Sequence, residues 1–156
     1  MELKPLSKKA IPSALEKAKH YRLLNEPSAA ESIIRDVLRV DPENQEALIV
    51  LVLSMADQFG RDYVVAKQHV DEVLSKLEGD YQREYYSGIV CERRGVAQLR
   101  GGAPGSAHNA YEWFHEAMGH YQAAEKASPS DNDDAILRWN TCLRLIERNR
   151  LEARES

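Results

Sequence analysis

Ala47-Leu48-Ile49-Val50-Leu51-Val52-Leu53-Ser54-Met55-Ala56 is the longest nearly uninterrupted apolar run in the chain, and Ser54 carries its only hydroxyl. A helix that is apolar on every face has to be buried on every face. The run is too short to cross a bilayer, which takes about 20 such residues. It therefore reads as the central helix of a helical stack. The whole-chain numbers agree. The 156 residues suit one domain with a real core, and 43% hydrophobic with 29% charged residues lies in the ordinary globular range.

Working upstream, a first helix is expected after Pro12, with Ser13 as its N-cap. Ala14, Leu15, Ala18, Tyr21 and Leu24 recur at helical spacing. Asn25-Glu26-Pro27-Ser28 breaks the pattern, because proline disfavours the helical conformation in the residue before it. Ser28 and Glu31 have the spacing of a capping box for a second helix, which carries Ala30, Ile33, Ile34, Val37 and Leu38. Asp41-Pro42-Glu43-Asn44 ends it, and the two helices make an αα-hairpin.

Ala14, Ala18, Tyr21, Ala30, Ile34, Val37, Leu38 and Asp41-Pro42 together resemble a tetratricopeptide repeat, in register over 34 residues from Ile11 to Asn44. The resemblance implies that small residues at 18 and 30 let two helices approach closely. A second unit follows over about 45–80, so the apolar run becomes its first helix; Ala66, Val70, Val73 and Leu74 form its second stripe, after a turn at Phe59-Gly60-Arg61-Asp62. An extended third unit covers about 81–130, with Gly88 at the small-residue position, Gly95 near the turn, and a glycine-rich insertion over 101–106. A capping helix over about 131–153 carries Ala135, Ile136, Trp139, Cys142, Leu143 and Ile146. The expectation is an all-α single domain. Its architecture would be a tetratricopeptide-like right-handed superhelix of about three hairpins and a cap.

The resemblance also implies a concave groove lined by the first helix of each hairpin. Its residues would be Leu15, Lys19 and Arg22, then Ile49 and Leu53, then Tyr85, Tyr86, Ile89 and Arg93. Leu53 and Ile89 stand where a carboxylate-clamping member of the family has asparagines, so an apolar peptide or helix is the expected partner. A second copy of the chain, meeting the same surface across a two-fold axis, is the alternative. The long third hairpin or the last helix would cover the groove if either folded across it.

Motifs for chemistry fail on spacing. In His115-Glu116-Ala117-Met118-Gly119-His120 the histidines are five apart. They diverge by about 140° around a helix of 3.6 residues per turn, so they cannot grip one zinc ion as a pair. Glu112 and His115 have the spacing of a di-iron site, which needs a second such pair that the chain lacks. Asp131-Asn132-Asp133-Asp134 lacks the later glycine and glutamate of a calcium loop, and the insertion lacks the lysine of a phosphate loop. No catalytic residue, metal or cofactor is expected. A net charge of −4 and a pI near 5.8 argue against nucleic acid. Cys91 and Cys142 form no C-x-x-C pair, and the first nine residues have no apolar core of the signal-peptide kind. A cytoplasmic protein without membrane insertion is the expectation.

Overall fold

Proline, asparagine and glycine punctuate the chain into helices of very different length. The computed structural model describes residues 1–61 and 65–155. Among them are seven α-helices and no strand: α1 (Ile11–Leu23), α2 (Pro27–Val40), α3 (Gln45–Ala56), α4 (Lys67–Ser75), α5 (Asp80–Gly101), α6 (Ser106–Ala127) and α7 (Asp134–Arg148). The protein is all-α. Two compact units emerge: Met1–Gln58 with Val65–Leu77, and the described residues of Phe59–Val64 with Glu78–Ser156.

In the first unit α1 packs on α2 and α3, α2 packs on α3, and α3 packs on α4. Ala18 and Ala30 are wholly buried, and so are Ile34 and Val37 one and two turns further along α2. The apolar run lies in α3, and only Gln45, Glu46, Ile49 and Leu53 of that helix escape burial. Asn44 starts it: its Oδ1 accepts the Ala47 backbone N–H at 2.9 Å, a cap that contributes about 1 kcal/mol. The buried Ser54 hydroxyl donates to the Val50 carbonyl at 2.7 Å, so the one polar side chain inside the run needs no outside partner.

Three helix starts differ from expectation. Helix α1 begins at Ile11, before Pro12, because the missing proline N–H is harmless in a first turn. The same effect starts α2 at Pro27, so Ser28 lies inside the helix and caps nothing, while the Glu31 carboxylate accepts from Arg35 and Gln58. Ala66 is the exposed N-cap of α4, whose buried face is Val70, Val73 and Leu74 alone. Leu24, at the end of α1, is exposed, and Asp62 lies outside the described residues.

The second unit is built on a seam between two 22-residue helices, α5 and α6, with α7 packed on both. Ala110, Phe114, Ala117, Tyr121 and Ala124 follow a 4-3-4-3 spacing on α6, and all five are wholly buried. The large members enter gaps on α5. A Cβ on Gly88 would lie 2.5 Å from the Tyr121 ring, and one on Gly95 would lie 2.6 Å from the Phe114 ring. Gly95 is therefore mid-helix, a second close approach and no turn. The α5–α6 connection is only Gly102 to Gly105, both ends at positive φ, since Gly101 and Ser106 belong to the helices. No helix among the described residues is long and apolar enough to cross a membrane.

Candidate functional site

The groove residues expected from sequence fall in both units. In the first, Leu15 is 5% exposed and shares the packed face of α1 with Ala14 and Ala18, so it is a core residue. Lys19 donates to Glu46 and Glu16, and Arg22 holds Asp57 with two bonds of 2.8 and 3.3 Å. Glu46, Ile49, Leu53 and Asp57 follow one another along a single face of α3. The two ion pairs thus bracket the half-buried Ile49 and Leu53. Both cations are already neutralised from within the chain, which leaves neither to clamp a carboxylate.

In the second unit Ile89 is 6% exposed, within a run of α5 buried continuously from Gly88 to Glu92 where α6 and α7 both pack. It offers nothing to a partner. Tyr85 and Tyr86 are half-buried and packed edge to face at 5.1 Å, with Tyr85 also stacked on Tyr81 at 5.5 Å. Arg93 is half-buried.

A concavity of the first unit lies elsewhere, in a cleft of about 600 Å³ between α2 and α4. Leu48, Leu51 and Met55 of α3 form its floor, with Leu38 and Val73 on the walls. Arg35, Arg39 and Lys76 stand on its lining against Glu72. Arg35 is paired with Glu31 one turn away. Helix α4 has only nine residues and starts at Lys67. That late start was not readable, because Ala66 keeps the repeat spacing while Lys67, Gln68 and His69 do not extend a buried face.

Beneath α7 lies a polar cluster that the sequence did not announce. Glu92, 3% exposed, accepts from Arg138 through both nitrogens of one guanidinium edge, from the Tyr121 hydroxyl at 3.0 Å and from the Cys142 thiol at 3.5 Å. Burial raises the Tyr121 and Cys142 pKa values, the thiol to about 12, with Arg138 pulling the latter partly back. Burial, then Asp134, raises Tyr85 to about 12. The cluster is an internally hydrogen-bonded network.

A pH consequence follows. A phenol whose folded pKa lies above its unfolded value of about 10 favours folding in its neutral form. That stability is complete below pH 10 and is lost as pH climbs toward about 12, where Tyr85 ionises. Helical circular dichroism should therefore fall between these limits, together with the rise of phenolate absorbance. Tyr85→Phe should move the midpoint upward; an unmoved midpoint would show that Tyr85 is not among the controlling groups.

His115 is exposed and stacks on Tyr111, whereas the half-buried His120 turns to α5 and bonds Glu84 at 2.7 Å. At the start of α7 the Asn132 Oδ1 accepts the Asp134 N–H at 3.0 Å, Asp134 sits in the first turn, and the N-cap Asp133 makes no side-chain cap bond. Among the described residues one set of side chains has metal-binding chemistry: donor atoms of Cys91, Glu116 and His120 lie within 4.8 Å of one another. Sequence spacing hid it because Cys91 comes from another helix.

Compared with protein-family models, curated proteins and solved structures, the chain matches none.

Proposed function

We propose that this chain is a non-catalytic interaction module of the tetratricopeptide-like kind. Its first unit would receive a peptide segment in the cleft between α2 and α4. The family reading is supported by the order of packing, α1 on α2 and on α3, and by full burial at Ala18, Ala30 and Ile34, where the repeat needs close approach.

The observation that carries the binding reading is the cleft itself. Leu48, Leu51 and Met55 follow one line down α3 for about 10 Å at 1.5 Å per residue, which makes the floor elongated. Those floor residues are only 2–3% exposed, so a partner's contact falls on the half-buried Leu38 and the exposed Pro42 above them, which an amphipathic helix can cover with one apolar face. Arg35, Arg39 and Lys76 outnumber Glu72 around it, so the complementary segment is apolar on one face and flanked by aspartate or glutamate. The face at Ile49 and Leu53 is a poorer site, being bracketed at both ends by ion pairs.

A random-peptide display selection on the immobilised chain tests this. Enriched peptides should combine apolar residues at helical spacing with flanking acids. Reversing two rim charges with Arg39→Glu and Lys76→Glu should weaken them about tenfold or more, since two exposed charge interactions change sign. Equal binding by the folded double variant would rule this cleft out. A dimer in light scattering that the same substitutions dissolve would instead favour self-association through it.

A further inference from the structure

We infer that Cys91, Glu116 and His120 form a binding site for a divalent transition metal of the zinc class, placed across the α5–α6 seam. The three donors are a thiol, a carboxylate and an imidazole, the set that zinc proteins draw on. Glu116 and His120 are four residues apart on α6, so they share a face, and Cys91 meets them from α5. Tetrahedral zinc with bonds of about 2.0–2.3 Å separates its ligands by about 3.3–3.8 Å. The present separations, all within 4.8 Å, close to that range with small side-chain rotations.

A second observation points the same way. His120 Nδ1 is bonded to a Glu84 oxygen at 2.7 Å. Metal-bound histidines commonly give their other ring N–H to a carboxylate, which fixes the tautomer and leaves the lone pair on the ligating nitrogen. A neutral His120 that donates Nδ1–H to Glu84 carries its lone pair on Nε2. A surface ion pair alone would explain Glu84 and His120, but it does not call for a buried thiol and a second carboxylate beside them. The platform is also stiff, since rings fill the gaps at Gly88 and Gly95 on either side of Cys91.

Thiolate and carboxylate together neutralise a divalent ion, and the soft thiolate with imidazole favours zinc or cobalt over magnesium or calcium. Binding releases the Cys91 proton to solvent. Three protein ligands leave a fourth position for water. The ion would clamp α5 to α6.

Cobalt(II) is the probe, added to the purified, chelator-treated full chain. One equivalent should produce a thiolate-to-cobalt charge-transfer band and the visible bands of tetrahedral cobalt, both displaced by zinc. His120→Gln, at a half-exposed position where folding is secure, should remove the bands, as should Cys91→Ser if it folds. Cys142→Ala should keep them. Glu84→Gln should weaken binding about 10–100-fold, as loss of such an orienting carboxylate does elsewhere. Absence of the charge-transfer band in the wild type overturns the site, as does its survival in the folded His120→Gln variant. Unchanged affinity in Glu84→Gln would remove Glu84 from it.

Discussion

Arg138→Ala should lower the stability of the folded chain by about 3–5 kcal/mol, far more than a half-exposed arginine ordinarily contributes. The loss arises at its partner. Glu92 is 3% exposed, and the guanidinium bonds both of its oxygens. Removing Arg138 leaves a buried carboxylate with only the Tyr121 hydroxyl and the Cys142 thiol, neither of which carries compensating charge. Replacing the network as a whole is a different matter. Glu92→Leu with Arg138→Met and Tyr121→Phe removes the charges and the hydroxyl together, and apolar substitutes for buried ion pairs are often neutral or better. Urea denaturation should thus show the triple variant more stable than the single one. A loss below about 1 kcal/mol in Arg138→Ala, the range of an exposed ion pair, would mean that water reaches Glu92.

Gly88→Ala should destabilise the protein and Gly119→Ala should stabilise it, although both glycines lie inside helices. On helix propensity alone each change gains about 1 kcal/mol. At Gly119 nothing lies within 4 Å of the new methyl group, so the gain survives. At Gly88 the methyl would sit 2.5 Å from a ring carbon of Tyr121, a residue with no exposed surface and its hydroxyl tied to Glu92. The ring cannot step aside without breaking that bond or opening the seam. Overpacking of this kind costs about 1–3 kcal/mol and outweighs the propensity term. Thermal or urea unfolding of the two variants should move in opposite directions. Stabilisation by both would mean that α5 and α6 can separate slightly at no cost.

Much of the helix inventory was readable because each signal was local. The stripe Ala30, Ile34, Val37 and the unbroken apolar run at 47–56 are periodic, and their burial follows from that period. Gly88 was legible as a small-residue position through the repeat spacing. Helix starts are less so: proline signals a boundary, but in a first turn it is a permitted member, so α1 starts before Pro12 and α2 at Pro27. Spacing puts Gly95 near the turn because glycine suits both a turn and a close approach, and only the facing Phe114 decides between them. The polar features were the least legible. Glu92 looks like any solvent-facing glutamate until α7 is laid over it, and Cys91 is one buried thiol until α6 supplies Glu116 and His120. Those sites depend on pairs more than twenty residues apart, which no single-helix period can register. The groove expectation lost Leu15 and Ile89 for a related reason. A repeat frame assigns faces, but only the packing of neighbouring helices decides which of them is covered.

The same uniformity that makes α3 the hub of the first unit gives it a second character. Leu48-Ile49-Val50-Leu51-Val52-Leu53 has no charge, no proline and no glycine, and half of it is β-branched. Six-residue segments of this composition are the ones that stack between chains as cross-β zippers once they are extended. Held as a helix against α1, α2 and α4, the segment has its backbone bonds satisfied internally and most of its side chains hidden. Opening of the first unit releases it with no gatekeeping charge inside the run. The nearest are Glu46 and Asp57, just beyond its ends, and both are held in ion pairs only while the unit is closed. Resistance of this chain to fibrillar aggregation is therefore set by how seldom its first unit opens.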